Sequence, residues 1–327
     1  MKVLIVGDFD PCGVHLRQRK YLRGLGIDYR IAVKEAYREE AKEADYWLER
    51  KPLRKGEIAE LRWFAMDADI IQFLPAIGQP WSFSSMTPRL GDDIYEIPFG
   101  GIDWRHSDFS RARKIVCFHG SKNARANLET YRAHYRGLGF PLLATTIDYA
   151  YEMGAEYLPT IVDIRHEPMF RQDGEPLKVI HSPTDPDICN TDEFLLTCRE
   201  LGIPVTYLTG RLHESVLSHK QGHTCGFDHL RGGFSVNSLE NVAFGMVNLV
   251  GVNPSYRDWM QDRLGVSLPW PEVETMADVR GWLGALRDDA GETRRWQEKA
   301  IGWYRSEWSP ERNAERIAAV YERILAS

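Results

Sequence analysis

The stretch from Gln221 to Val252 brings small residues and one carboxylate together in an arrangement that suits a phosphorylated ligand. A predicted strand leads through a glycine-containing loop into a predicted helix. Backbone N–H groups at such a helix start can approach a diphosphate, and the helix dipole favours its negative charge. Glu240 lies about one turn into this helix, where a carboxylate can accept hydrogen bonds from sugar hydroxyls. The stretch therefore predicts a site that binds phosphate and ribose.

Each of these residues also has a purely structural interpretation. Glutamate on a helix is most often a solvated carboxylate. Serine and asparagine at a helix start commonly cap its N–H groups, and capping uses the same groups as phosphate binding. The candidate ligand-binding residues are Gly233, Phe234, Ser235, Asn237, Ser238, Leu239 and Glu240, with His213 at the entry to the preceding predicted helix.

A second group of candidates follows predicted strands in the N-terminal half. His119 ends the apolar strand KIVCFH, at the carboxyl edge where open α/β sheets bind ligands. It either donates to a sugar hydroxyl or phosphate, or it is a loop histidine bonded to backbone. Gly13 either allows close approach of the backbone to a ligand or serves a turn. Asp8 and Asp10 flank this loop as possible contacts to acceptor hydroxyls, and the sequence identifies neither as a general base.

A group of histidines around Cys225 raises the alternative of a zinc site. Its spacing lacks paired C-x-x-C units, and the pair at i and i+4 lacks the glutamate of H-E-x-x-H. We therefore predict no metal ion at this group, which consists of His213, His219, His223, Cys225 and His229.

Positioning these residues requires two sets of alternating strands and helices. Short apolar runs such as KVLIV and KIVCFH alternate with amphipathic stretches, a pattern typical of βαβ units and a mostly parallel sheet. A second such series begins at LKVIHSP, and the sequence turns helical after Pro271. The chain of 327 residues is thus predicted to be α/β, with domains at 1–165 and 166–305 and a last helix at 306–327 that crosses back to the first domain.

Composition excludes several other classes of protein. Hydrophobic residues make up 43% and charged residues 27%, with a formal net charge of −6, which argues against disorder and against a generally nucleic-acid-binding surface. Neither Gly232-Gly233 nor the loop from Gly7 to Gly13 forms a G-x-G-x-x-G fingerprint, so a nicotinamide site has little support. The short apolar start and the scattered cysteines predict a cytoplasmic protein with reduced thiols.

The motifs and their order resemble those of the GT-B glycosyltransferases, most closely the retaining family 4-like enzymes, over nearly the whole chain. The resemblance implies two Rossmann-like domains facing across a cleft. The C-terminal domain would hold a nucleoside-diphosphate sugar, with UDP-sugar favoured, and the N-terminal domain an acceptor. It also implies that no metal ion or other cofactor is needed. The motifs are the loop from Gly7 to Gly13, FHGS from Phe118, YLPTIVD from Tyr157, HSPTD from His181, and the segment from His213 to Val252.

The chain departs from this family at two places expected to meet the donor. Members of this family often carry a pair of acidic residues eight positions apart, and Glu240 matches the second of them. Gly232 stands at the position of the first in this chain. Many relatives also place Arg and Lys in the segment matching 184–191, which here reads TDPDICNT without a cation. Because an arginine fork suits bidentate phosphate contact, either Arg211 or Arg231 is expected to substitute, although each could equally be a surface arginine.

The acceptor is indicated only by a local excess of positive charge. The segment 104–136 holds eight basic and two acidic residues in a net acidic chain. This suggests an anionic acceptor, either a phosphorylated glycan or lipid at a membrane surface or DNA with a hydroxylated base, as in phage enzymes. The alternative is a solvated charged face.

The resulting prediction is a hexosyltransferase-like glycosyltransferase, retaining by resemblance, that transfers a sugar to an acceptor hydroxyl. Glu240 would bind ribose, the 232–238 loop with Arg211 or Arg231 the diphosphate, and Gly13 with His119 the sugar. Two alternatives remain open: a degenerate GT-B domain that binds nucleotide, glycan or a protein partner without catalysis, and a nucleotide-sugar epimerase.

Overall fold

The structure is a computed structural model that describes residues 1–7, 13–33, 44–47, 55–74, 107–119 and 128–327. The chain divides into two compact units. The first consists of Met1–Ile161 together with Pro310–Ser327, and the second is Val162–Ser309. The domain bounds expected from the sequence, 1–165, 166–305 and 306–327, stay a prediction.

The first unit is built on a seven-stranded parallel sheet with strand order β3-β2-β1-β4-β5-β6-β7. Its central strands are buried along most of their length, which explains why they read as continuous apolar runs rather than as alternating patterns. The strands are β1 (Lys2–Gly7), β2 (Asp28–Val33), β3 (Tyr46–Trp47), β4 (Ile70–Leu74), β5 (Arg113–Phe118), β6 (Leu142–Ala144) and β7 (Glu156–Tyr157).

Within the described part of this unit, four helices connect the strands. They are α1 (Val14–Gly24), α2 (Lys55–Asp67), α3 (Leu128–Gly137) and α4 (Ile147–Met153), and a short 3₁₀ helix covers Ser107–Phe109. Helix α1 begins after Gly13, whose φ of 64° lies in the left-handed region that favours glycine. This glycine allows the chain to enter α1 with a left-handed backbone conformation.

The second unit holds a four-stranded parallel sheet with order β11-β10-β8-β9. Its strands are β8 (Val179–His181), β9 (Val205–Tyr207), β10 (Cys225–Phe227) and β11 (Val247–Leu249). The helices are α5 (Thr191–Glu200), α6 (His213–Lys220), α7 (Val236–Ala243), α8 (Pro254–Leu264), α9 (Met276–Asp288) and α10 (Ala290–Glu307), with a 3₁₀ helix at Pro186–Ile188. Phe194 and Phe227 stack with ring centroids 4.2 Å apart in the core of this unit.

The last helix, α11 (Pro310–Ala326), returns to the first unit and completes its core. Ile317 and Tyr321 are fully buried against the sheet, and the Tyr321 hydroxyl donates to Gln72 Oε1 on β4 at 3.0 Å. The predicted α/β class, its two parallel sheets and the return of the last helix are thus confirmed. Within the described residues, no helix is both long and apolar enough to cross a membrane.

We expect the return of α11 to contribute measurably to stability. Ile317→Ala removes fully buried methyl groups and should lower the free energy of unfolding by about 2–5 kcal/mol in urea denaturation. The matched control is Leu325→Ala on the same helix, where the side chain is 43% exposed and the cost should stay near ~0.5 kcal/mol. Equal costs for the two variants would contradict the docking of α11.

Candidate functional site

Glu240 is a buried carboxylate with two basic partners. The residue is 4% exposed on α7. Its Oε2 accepts a hydrogen bond from Lys220 Nζ at 2.7 Å, and its Oε1 lies 2.5 Å from His213 Nε2. Burial alone would raise the pKa of Glu240, but the Lys220 cation and the bond to His213 outweigh it and lower this pKa to about 2. The site therefore contains a carboxylate that is ionised at neutral pH.

Lys220 was missed by the sequence analysis. The residue is the last of α6 and is 0% exposed, although lysine is almost never fully buried unless paired. Its Nζ also donates to Asn237 Oδ1 at 2.6 Å and to the Asn237 carbonyl at 3.3 Å. Lysine at a helix end is ordinarily a surface residue, so nothing in the sequence singled it out. Through these hydrogen bonds, Lys220 connects the end of α6 to the first turns of α7.

Asp228 is a second buried carboxylate beside the same helix. It follows β10 and accepts hydrogen bonds from Ser235 Oγ at 2.6 Å, Asn237 Nδ2 at 3.2 Å and Ser238 Oγ. Burial would raise the pKa of Asp228, yet the His229 charge and these three bonds lower it. The three side chains expected to meet phosphate are therefore engaged by the protein, and Ser235 Oγ also caps Asn237 N at 3.0 Å. Because these side chains are engaged, any contact with a phosphate would come from backbone N–H groups.

The glycine loop before α7 is fixed by backbone hydrogen bonds. Gly232 has φ of +88° and pairs with Val252 in a parallel bridge, with Asn253 N donating to Gly232 O at 2.7 Å. An L-residue is strained at this φ, so an acidic side chain at position 232 does not suit this backbone. Gly233 beside it is buried.

Two other candidates of this segment contribute side chains to the core. Phe234 packs edge-on against Trp270, with ring centroids 5.5 Å apart, and it also contacts Trp308. Leu239 is 2% exposed. These side chains hold α7 against the rest of the second unit, so any ligand contact from these two residues would come from their backbone.

The two candidate arginines are both exposed but differ in their surroundings. Burial raises the pKa of the Cys189 thiol to about 11, and the positive charge of Arg231 partly opposes this rise. In the same loop, Leu230 N donates to Asn190 Oδ1 at 3.2 Å. Arg231 thus lies in a loop that contacts the cation-free segment 184–191. Arg211 precedes α6, two residues before His213. Of the two, Arg231 brings positive charge to the segment 184–191, which holds no cation of its own.

In the first unit, His119 follows β5 and has partners at both ring nitrogens. Its Nε2 lies 3.1 Å from His15 Nε2, and its Nδ1 lies 2.8 Å from Thr145 Oγ1. Burial and the neighbouring His15 lower the pKa of His119 well below its usual value, and burial lowers that of His15 to about 4. Both rings are therefore neutral at pH 7. Gly13 immediately precedes α1, the helix that carries His15. Asp8 and Asp10 lie outside the described residues.

The histidines around Cys225 have separate partners. His213 contacts Glu240, His219 Nδ1 lies 2.7 Å from Ser215 O, and His223 Nε2 lies 2.8 Å from Thr206 Oγ1. Within the part of the chain that the structure describes, they do not gather into a group that could hold a metal ion.

Part of the positive charge in 104–136 is neutralised within the first unit. Arg111 pairs with Asp67 at 3.3 Å, and Arg132 pairs with Glu129. Arg136 donates to the Met153 carbonyl at 3.0 Å. The aromatic residues Tyr131 and Tyr135 of this segment are buried. Arg105, Lys122 and Arg125 lie outside the described residues.

No protein-family model matches the chain, and no curated protein matches it in sequence. Solved structures do match. The T4 phage BGT structure, in complex with UDP and Mn²⁺, has a TM-score of 0.55 at 10% identity and covers 100% of both chains. The Anabaena Alr3699/HepE complex with UDP-glucose has a TM-score of 0.57 at 10% identity and covers 99% of this chain and 100% of its own. Sucrose-phosphate synthase from Thermosynechococcus elongatus has a TM-score of 0.56 at 9% identity and covers 100% and 99%. The chain has the fold of the GT-B glycosyltransferases.

Proposed function

We propose that the chain is a glycosyltransferase that moves a sugar from a nucleoside-diphosphate sugar, with UDP-sugar favoured, to an acceptor hydroxyl. The observation that carries this proposal is Glu240, a buried and ionised carboxylate on the helix behind the glycine loop, in a chain with the GT-B fold. The matching structures of BGT and HepE contain UDP and UDP-glucose, respectively.

Glu240 would accept hydrogen bonds from the donor ribose. A carboxylate offers about four acceptor positions on its two oxygens, and Lys220 and His213 use one on each. Because both partners already hold the carboxylate in place, ribose binding needs no side-chain rearrangement, which lowers its entropic cost.

The diphosphate would lie at the start of α7. Backbone N–H groups of the 232–238 loop and the helix dipole supply part of the attraction. Arg231 is our preferred cation, because its loop contacts the segment 184–191. Arg211 is the second choice. Independence from metal remains a prediction, and the BGT structure contains Mn²⁺ together with UDP.

Fewer observations support the positions at which the sugar and the acceptor would bind. Gly13 and His119 remain our candidates for the sugar end, with Asp10 near the acceptor, and retention remains an expectation. An anionic acceptor, either modified DNA or a phosphorylated glycan or lipid, is supported only by the charge of segment 104–136. The alternative function, a nucleotide- or glycan-binding domain without catalysis, is favoured by the internal engagement of Ser235, Asn237 and Ser238 by Asp228.

The donor site is tested by calorimetry with UDP, UDP-sugars, GDP-sugars and ADP-sugars, with and without Mg²⁺. We expect one nucleotide to bind and Glu240→Gln to weaken it about 5- to 150-fold, since a charge-assisted hydrogen bond to ribose is lost. Glu214→Gln, an exposed glutamate on α6, is the matched control and should leave the affinity unchanged. Equal affinity of wild type and Glu240→Gln would exclude the ribose role. Binding without sugar transfer to any acceptor in a subsequent screen would favour the non-catalytic alternative.

The two arginines can be separated by comparing UDP with uridine. Arg231→Ala should weaken UDP binding about 10- to 100-fold and leave uridine binding unchanged, because only the diphosphate gains from an arginine fork. Arg211→Ala serves as the control and should change neither. If Arg211→Ala alone weakens UDP, the assignment of the diphosphate cation to Arg231 is wrong.

The Lys220–Glu240 pair also predicts how stability depends on pH. Because the pKa of Glu240 is lowered to about 2 in the folded chain, its contribution is complete above the ordinary value of 4.5 and is lost as pH falls toward 2. Lys220→Met leaves the carboxylate buried without its cation and should cost about 3–5 kcal/mol at pH 7 in urea denaturation.

A second variant isolates the charge from the packing. Adding Glu240→Gln to Lys220→Met should restore much of the stability, because no unpaired charge remains. Lys178→Met, an exposed lysine of the same unit, controls for the substitution itself. Additive costs in the double variant would show that the two side chains are not coupled.

A further inference from the structure

A group of three potential metal ligands lies in the first unit and includes His119, the candidate for the sugar end. The ring nitrogens of His15 and His119 and the Cys117 sulfur all lie within 4.8 Å of one another. Cys117 and His119 are two residues apart at the end of β5, so their side chains point to the same face of the sheet. His15 comes from the first turn of α1. His15 and Cys117 are 0% exposed.

Each ring has an oxygen within hydrogen-bond distance of its Nδ1. His15 Nδ1 is 2.9 Å from Gln18 Oε1 and 2.9 Å from Tyr29 OH. His119 Nδ1 is 2.8 Å from Thr145 Oγ1. These oxygens can accept the ring proton in the tautomer that carries it on Nδ1.

In the tautomer with a proton on each Nδ1, the two Nε2 atoms, which lie 3.1 Å apart, present lone pairs to each other. Two acceptors at this distance repel, and a cation between them removes the repulsion. Tetrahedral zinc with Zn–N bonds of about 2.0–2.1 Å separates two nitrogens by about 3.3 Å, close to the separation found here. Histidine metal ligands commonly donate their second ring N–H to an oxygen, and both rings have an oxygen at hydrogen-bond distance from Nδ1.

We propose that His15, Cys117 and His119 form a binding site for a zinc-like divalent cation. Imidazole and thiolate are the ligands that zinc prefers, and three protein ligands leave one coordination position open. Both imidazoles are already neutral at pH 7, so only the thiol loses a proton when the ion binds. The exchange releases one proton as the Cys117 S–H bond is replaced by a sulfur–metal bond.

Metal binding by the full chain tests this site without any nucleotide, so its outcome is independent of the proposed transferase activity. After dialysis against Zn²⁺, we expect elemental analysis to find about one ion per chain. Co²⁺ should give a thiolate charge-transfer absorption, and Zn²⁺ addition in weak buffer should release about one proton per ion. A folded wild-type chain with neither bound zinc nor the cobalt absorption would overturn the proposal, leaving a metal-free His15–His119 hydrogen bond.

Variants then assign the ligands. Cys117→Ser should abolish the cobalt charge-transfer absorption and, like His15→Gln, weaken zinc binding by more than about 10-fold. Cys225→Ser is the matched control, since Cys225 is an equally buried strand cysteine in the second unit. Circular dichroism confirms the fold of each variant. Equal zinc binding by Cys117→Ser and Cys225→Ser would also overturn the proposal.

Discussion

The candidate donor site depends on how two buried carboxylates are compensated around one helix. Glu240 lies on α7 and Asp228 accepts hydrogen bonds from side chains at its start, and an uncompensated ion in either place would cost several kcal/mol. Asp228 is held by three neutral donors, whereas Glu240 has the Lys220 cation. Asn237 donates to Asp228 and accepts from Lys220, so it joins the two carboxylates into one network. The helix start is thereby fixed in place before any ligand arrives.

Most of the fold was predictable because its signals are local. Strands covered on both faces read as apolar runs, and a helix boundary such as the N-cap at Thr275 can be recognised within a few residues. The candidate site was only partly predictable. Glu240 was identified because its loop and its helix are adjacent in sequence. Lys220 and His15 were not, because their partners Glu240 and His119 are 20 and 104 positions away, and both residue types usually have other roles.

The backbone accounts for one departure from the pattern of the family that the chain resembles. A left-handed φ at Gly232, fixed by hydrogen bonds to Gly251 and Asn253, is a conformation that favours glycine. The loop therefore cannot present an acidic side chain from position 232 without strain. Arg231 stands next to it and is exposed, so this loop offers a cation at the position adjacent to the missing acid.

The two units use buried polar groups in different ways. In the second unit, Asp228 and Glu240 both have a lowered pKa and have charged or polar partners. In the first unit, the buried imidazoles near β5, His15 and His119, are neutral, and Gln18 and Tyr29 lie at hydrogen-bond distance from His15. Neutral imidazole lone pairs that converge attract a cation rather than an anion. The proposed acceptors for sugar hydroxyls thus lie on α7 of the second unit, and the proposed ligands for a metal ion lie at the end of β5 and on α1 of the first.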